Sequence, residues 1–175
     1  MIILEKNYTM KYLFVFLLVG LMFSCGIDGN LKQPNCDELE GLKTTVGSLI
    51  NGKFADDSLI SNDYTGVVFT CDRGKVIEQC NFKNGKRDGL SLDWWHENGQ
   101  LRAAENYKDG KPHGVSRRWQ KNGHLMWEWN HKDGKADGLY TRWQENGKYV
   151  ESHWKDGRII SIKCYNEKGK QIYCK

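Results

Sequence analysis

Residues 89–113 read GLSLDWWHENGQLRAAENYKDGKPH, and residues 114–137 read GVSRRWQKNGHLMWEWNHKDGKAD. A third copy of this pattern begins at Gly138. Tryptophan recurs at a spacing of 24 residues, at Trp95, Trp119 and Trp143. The Asn-Gly pairs keep the same spacing, at Asn98-Gly99, Asn122-Gly123 and Asn146-Gly147. A fixed period in this range is typical of repeat proteins, in which each unit packs against its neighbours.

Each unit carries one Asn-Gly and one Asp-Gly dipeptide. These pairs are the best able to adopt positive φ at both central positions of a tight hairpin turn. Between the turns, apolar Leu125, Trp127 and Trp129 alternate with polar residues, and this period of two predicts half-buried strands. The predicted fold class is all-β: an elongated single-layer antiparallel meander of ~24-residue β-hairpin repeats, preceded by an N-terminal leader.

The unit G-x-x-x-x-W-x-x-N-G-x-L, then an aromatic residue, then D-G-K-x-x-G, resembles the MORN (membrane occupation and recognition nexus) repeat. More closely, it resembles the bacterial variant in proteins catalogued as antitoxin-repeat proteins. The resemblance covers about residues 64–175 and implies a domain of MORN-like β-hairpin repeats there. It implies no particular chemistry, because MORN-like repeats occur in proteins of many activities.

The repeats at the two ends are divergent, as expected where a unit caps a stack. In the first unit, which begins at Tyr64, Arg73-Gly74 replaces Asn-Gly and Asn84-Gly85 takes the role of Asp-Gly. The last unit, residues 162–175, keeps one hairpin, with Tyr165 in the tryptophan position.

Residues 1–24 have the pattern of a signal peptide. A lysine precedes the apolar run 12–23, which is shorter than the ~20 residues that span a bilayer. Ser24 and then Cys25 follow this run, an arrangement that resembles the bacterial lipobox, so Cys25 is the predicted lipidation site, with palmitate as one acyl group. A plain signal peptide with an incidental cysteine, or a buried N-terminal helix, are the alternatives. Met10 is a second possible start besides Met1.

Residues 25–63 are interpreted as a lipid-anchor tether, over about residues 27–34, and an N-terminal segment. Residues 26–63 hold 7 Asp and Glu against 3 Lys, a balance of −4. Residues 64–175 hold 21 Lys and Arg against 14 Asp and Glu, a balance of +7. Residues 39–50 fit a short helix, while residues 49–54 equally fit a strand that opens the sheet.

Besides Cys25, the chain has five cysteines, which are Cys36, Cys71, Cys80, Cys164 and Cys174. An oxidising compartment permits disulfides. A two-residue turn at Arg73-Gly74 would pair Cys71 with Val76 and Cys80 with Val67, which sets the two sulfurs too far apart to bond. In the simplest register, the side chains of Cys164 and Cys174 would lie on opposite faces of the sheet. We expect one bridge and one free thiol, with the pairing left open.

The sequence favours no enzyme, cofactor or metal site. The histidines lack metal-ligand spacings, and no nucleophile or phosphate-binding motif is present. The carboxylates recur with the repeat, as at Asp109, Asp133 and Asp156. A group that recurs in every unit usually serves the unit, so no residue is predicted to be catalytic.

The tryptophans remain as candidates for a binding surface. Trp95, Trp119 and Trp143 are expected to form one column, either as core or as a partly exposed strip, because a single-layer sheet has no second layer to bury it. The arginines expected to border this strip are Arg102, Arg117, Arg118 and Arg142. Such a strip suits a protein edge, a glycan ring or an anionic head group, and an envelope location argues against nucleic acid.

These features predict a non-enzymatic, lipid-anchored interaction module or scaffold with a protein partner. Its expected location is the envelope of a bacterium, at the outer membrane or the periplasmic face. One alternative is an antitoxin or immunity-type neutralising protein. The other is a repeat module that binds glycans or anionic lipids.

Overall fold

The structure, a computed structural model, describes residues 31, 33–36, 49–51 and 60–174. These residues form twelve strands and no helix. The strands are β1 Leu49–Asn51, β2 Gly66–Asp72, β3 Lys75–Lys83, β4 Lys86–Trp94, β5 Leu101–Lys108, β6 Lys111–Pro112, β7 Gly114–Trp119, β8 Leu125–Lys132, β9 Lys135–Trp143, β10 Tyr149–Lys155, β11 Arg158–Tyr165 and β12 Gln171–Ile172. Within these ranges, no helix has the length and apolarity needed to cross a membrane. The predicted signal peptide and Cys25 lie outside the described residues.

The strands form one open sheet whose order follows the chain, which confirms the predicted all-β antiparallel meander. Two details interrupt the pattern. β1 pairs in parallel with β2, so the region left open between helix and strand contributes a strand at Leu49–Asn51. β6 pairs with β5 alone. His113 separates β6 from β7, and β7 also pairs with β5.

The Asp-Gly turns adopt the predicted conformation. Both central residues have positive φ at Asp109 (50°) and Gly110 (80°), Asp133 (51°) and Gly134 (86°), and Asp156 (51°) and Gly157 (81°). Each glycine N–H donates to a backbone oxygen of the preceding unit, from Gly110 to Arg87 at 2.8 Å, Gly134 to Pro112 at 2.9 Å and Gly157 to Ala136 at 2.8 Å. The Asp-Gly turns therefore stack on one another along the side of the sheet where these strand ends meet.

The Asn-Gly turns differ from the prediction, because only their glycines have positive φ, 70° at Gly99, 83° at Gly123 and 78° at Gly147. In the unit of residues 114–137, Gly123 N–H donates to the Gln120 oxygen at 2.9 Å. The Asn122 Oδ1 accepts the His124 N–H at 3.0 Å. This is a three-residue loop closed by a left-handed glycine. The asparagine is needed as a hydrogen-bond acceptor, and not for positive φ.

A second use of glycine was not predicted. Gly89, Gly114 and Gly138 open successive units with φ of 100°, 91° and 112°. An asparagine stands eight residues before each of these glycines. Its Nδ2 group donates a hydrogen bond to the backbone oxygen of the residue that follows the glycine, from Asn81 to Leu90, Asn106 to Val115 and Asn130 to Leu139. The strand register shifts at Asn81 and Asn130. The first glycine of the repeat motif is thus required by a β-bulge, and the recurring Asn-x7-Gly spacing was its sequence signal.

Gly138→Ala is expected to lower the free energy of unfolding by on the order of 1–2 kcal/mol, since an L-residue at this φ is strained. The new Cβ would also lie 3.1 Å from the Cβ of Asn130. Urea unfolding measures the loss. Lys135→Ala, at an exposed position of the same strand, is the control and should stay within about 0.5 kcal/mol of wild type. Equal midpoints for the two variants would contradict the bulge assignment.

The main core packs against strands β2 to β5 and β7, and it includes the buried side chains of Phe69, Leu90, Leu92, Trp94, Leu101 and Trp119. Residues 33–36 run along the first hairpin, where Cys36 N–H donates to the Gly74 oxygen at 2.9 Å and Val76 N–H donates to the Pro34 oxygen at 3.1 Å. Leu31 packs against the same core. Leu31 and residues 33–36 therefore dock on the sheet, which differs from the expected tether over residues 27–34.

The structure has two disulfides, where one was expected. Cys36 bonds to Cys71, and Cys164 bonds to Cys174 with a Cα–Cα distance of 5.3 Å. Among the described cysteines only Cys80 is free, and it is buried. Cys71 pairs with Val76 as predicted, but Cys80 pairs with Val68 and not with Val67, because the register shifts between Thr70 and Cys71. Cys164 pairs with Ile172, so residue 174 has the right parity to reach it, which the simplest register did not provide.

Candidate interaction surface

The strand register separates the side chains into two faces. Leu92, Ala104, Arg117 and Glu128 lie in one cross-strand row, and Asp93, Ala103, Arg118 and Trp127 lie in the adjacent row. Neighbouring residues of a strand point to opposite sides of the sheet. We call the side of Leu92 the front face and the side of Trp127 the back face. The main core is on the front face.

The expected tryptophan column is displaced by one residue in its first unit. Trp94 pairs with Leu101 and Trp119 pairs with Leu125, so these two indoles occupy equivalent positions. Trp95 lies in the turn, where its N–H donates to the Gln100 oxygen at 2.8 Å. The turn 95–99 has one residue more than the turn 120–123. Trp95 and Trp119 therefore occupy different structural positions, although their sequence spacing equals that of Trp119 and Trp143.

The predicted binding residues do not lie on one surface. Trp119 is only 3% exposed, and so belongs to the core instead of a partly exposed strip. Trp143 is half-buried on the same front face. Arg118 and Arg142 are exposed on the back face, where both pair with Trp127. The structure thus separates these arginines from the tryptophans they were expected to border, and their binding role remains a prediction.

The back face holds three half-buried aromatic side chains in contact, and we call Trp127, Trp129 and Tyr140 the aromatic cluster. The ring centroids of Trp127 and Trp129 are 5.3 Å apart. Tyr140 stacks on Trp129 with centroids 5.9 Å apart and planes 24° apart. The Trp-x-Trp spacing was visible in the sequence, because it places both indoles on one face of β8.

Arg118 adds a positive charge with a fixed position to the aromatic cluster. Its guanidinium carbon lies 5.6 Å from the ring centroid of Trp127 and 5.7 Å from that of Trp129. Arg118 Nη2 is 2.9 Å from Glu105 Oε1, and Tyr107 donates its hydroxyl to Glu105 Oε2 at 2.8 Å. Burial of the Glu105 carboxyl group acts to raise its pKa, but these two hydrogen bonds lower the pKa below its ordinary value. The carboxylate therefore stays charged and orients Arg118 over the indoles.

Three polar side-chain atoms in and next to the aromatic cluster are buried without a hydrogen-bond partner among the described residues. They are the Nε1 of Trp127, the Nε1 of Trp129 and the Nδ1 of His131. His131 contacts Trp129 edge-on, with centroids 5.6 Å apart. Burial lowers the pKa of His131, which favours its neutral form. The cluster thus combines apolar ring surface, one oriented cation and unpaired polar atoms.

Two titratable groups on earlier strands of the sheet, Cys80 and Asp93, have raised pKa values. Burial, and then the charge of Glu78, raise the pKa of the Cys80 thiol to about 12, so the nucleophilic thiolate is suppressed. Burial also raises the pKa of Asp93, although Arg102 bonds to it. Within the described part of the chain, no group of three or more His, Cys, Asp or Glu side chains is placed to hold a metal ion.

Residues 94–109 match the family described as the MORN repeat variant. The chain contains MORN-like repeats. The matched segment runs from Trp94 through the Asn98-Gly99 turn and β5 to Asp109, and the units that follow repeat its two turns. No curated protein matches the chain. The aromatic cluster lies outside the matched residues, in the two MORN-like units that follow, because Trp127 and Trp129 belong to residues 114–137 and Tyr140 belongs to the copy that begins at Gly138.

Proposed function

We propose that this MORN-like repeat protein is a non-enzymatic interaction module that binds a partner protein through the aromatic cluster. The carrying observation is Arg118, which Glu105 orients over two half-buried indoles. Tryptophan, tyrosine and arginine are the residues most often found at binding hot spots. MORN repeats are commonly protein- or membrane-interaction modules, which supports a binding role.

A protein partner fits this surface better than a glycan or an anionic lipid. The rings of the aromatic cluster pack on one another, so each presents only part of its surface for a sugar to stack on. Arg118 is paired with Glu105, which reduces its attraction for a free anion. A protein edge that supplies apolar side chains and an oxygen acceptor for Arg118 would use both the rings and the cation of this surface. A neutralising role would use the same surface and is distinguished by the partner's identity.

The proposal places the module at the bacterial envelope through lipid on Cys25. Support comes from the apolar run 12–23, which ends two residues before this cysteine. Two or more acyl chains give stable membrane anchoring, whereas one gives only marginal binding. Intact-mass spectrometry of the native protein should show acylated Cys25 at the N-terminus, and an unmodified residue 25 would remove the anchor from the proposal.

Site-specific photo-crosslinking in intact envelopes tests the binding face. A photoreactive residue at Arg142 reports on the back face, and one at His153, also exposed, reports on the front face. We expect a discrete protein adduct from position 142 alone. Trp129→Ala should reduce that adduct about tenfold or more, as for a hot spot of roughly 2 kcal/mol.

Trp143→Ala is the matched control, because it removes a half-buried indole from the opposite face. It should leave the adduct from position 142 unchanged. Circular dichroism should show both variants folded. Equal adducts from both faces, or an adduct from position 142 that survives in folded Trp129→Ala, would contradict binding through the aromatic cluster.

A further inference from the structure

The last long strand has an open outer edge. β11 pairs with β10 from Arg158 to Tyr165. On its other side, β12 pairs only with Cys164 and Tyr165. Along residues 158–163, no strand in the described part of the chain lies against this edge. An edge of this kind presents unpaired backbone N–H and C=O groups to a further strand.

The second disulfide keeps β12 short. In a continued antiparallel ladder, Cys174 would lie opposite Ile162, about 7–8 Å from Cys164 along the diagonal. The observed Cα–Cα distance between Cys164 and Cys174 is 5.3 Å. The bond thus draws residue 174 back toward Cys164 and away from the edge. Tyr173, which precedes it, is 91% exposed.

The open edge is apolar and exposed. Ile159, Ile160 and Ile162 are 50%, 66% and 52% exposed, which makes them among the most exposed large apolar residues described. Ile162 shares the back face, since it pairs with Ser152, which in turn pairs with Tyr140. Natural sheets usually protect such edges with charges, proline, a β-bulge or a covering segment. Here the central residues carry no charge and no proline, and one bulge lies at Ile160, where the register with β10 shifts.

Charges stand only at the two ends of the open edge. Arg158 and Lys163 flank the isoleucines, and β11 contains no acidic residue. An antiparallel copy centred on Ile160 and Ser161 would set Arg158 opposite Lys163, and a parallel copy in register would set Arg158 beside Arg158. Like charges in such positions destabilise strand pairing. In these two registers the edge disfavours a second copy of this chain, and its two cations favour a strand of opposite charge.

We propose that residues 158–163 accept an extended segment of a partner protein as an added strand. The segment this edge fits has an apolar centre and an acidic residue at each end, placed opposite Arg158 and Lys163. Backbone hydrogen bonds supply affinity in this binding mode, and side chains supply selectivity. This site is separate from the aromatic cluster and does not depend on the proposed function.

A fluorescent peptide of about ten residues, in which four alternating valine and threonine residues separate two glutamates, tests the proposal by anisotropy with the whole protein. A second peptide carries lysines in place of the glutamates. We expect the acidic peptide to bind roughly tenfold more tightly, because two favourable pairs replace two like-charge pairs. Hydrogen exchange should slow at residues 158–163 when the acidic peptide binds.

Exchanging the charges sharpens the test. Arg158→Glu with Lys163→Glu should reverse the preference, so that the lysine peptide binds more tightly. Lys168→Glu with Lys170→Glu makes the same change in net charge at the exposed terminal turn and should preserve the original preference. The proposal is overturned if neither peptide binds saturably, if the charge exchange leaves the preference unchanged, or if protection appears elsewhere. Sedimentation showing a dimer that protects residues 158–163 would overturn it in favour of a second copy.

Discussion

Replacing Trp119 by alanine is expected to lower the free energy of unfolding by about 3–5 kcal/mol, the range found for large aromatic side chains in cores. Trp119 is 3% exposed and packs in the main core with Leu101 and Trp94. The truncated side chain would leave a cavity that neighbouring strands, held by cross-strand hydrogen bonds, fill only in part. The backbone oxygen of Trp119 also accepts the Trp95 Nε1–H at 3.2 Å, which ties two units together.

Urea unfolding followed by circular dichroism measures this loss. Trp143→Ala is the control, because Trp143 occupies the equivalent position one unit later but is only half-buried. Its loss should be clearly smaller. Equal losses of unfolding free energy in the two variants would show that the difference in burial does not determine how much each tryptophan stabilises the fold. A Trp119→Ala protein of wild-type stability that fails to bind a partner would restore the original expectation of a binding column.

Replacing both Cys36 and Cys71 by alanine should lower the free energy of unfolding by about 4 kcal/mol. The bond joins residues separated by 35 positions, and in the chain-entropy description the stabilisation grows with the logarithm of loop length. It also fastens residues 33–36 to the first hairpin, where Cys36 itself is buried. Chemical denaturation without reductant measures the change.

The Cys164–Cys174 bond supplies the matched control. It closes only 10 residues, and its two-residue strand β12 is exposed at the end of the sheet. Removing it should open the terminal hairpin locally and shift the global transition much less, since local opening is separate from global unfolding. Equal global shifts for the two double variants would contradict the idea that residues 33–36 stabilise the repeat domain.

Much of the fold followed from local signals. The 24-residue period, the alternation in β8 and the turn dipeptides predicted strand, turn and meander. The turn conformation was right where Asp133-Gly134 must adopt positive φ, and wrong at Asn122-Gly123, where the asparagine accepts a hydrogen bond instead. The dipeptide alone does not distinguish these two turns, because the residues around it set the loop length.

The candidate surface was predicted only in its residue types. Tryptophan and arginine were expected together, and Arg118 does lie over tryptophans, but these are Trp127 and Trp129 on the back face. The extra residue in the turn 95–99 moved Trp95 out of the column. A one-residue change in a loop alters which face a side chain joins, because side chains alternate along a strand.

The sequence by itself determined the repeat, the strand type and the position of nearly every turn, because backbone preferences and period-two alternation act between near neighbours. Only the tertiary structure decided which face became core, which cysteines bonded and which edge stayed open. Those outcomes depend on contacts between distant residues, as when Cys36 reaches Cys71 or Arg118 meets Trp127. The register shifts that set these contacts, at Asn81 and Asn130, arise from bulges that a simple alternation does not contain.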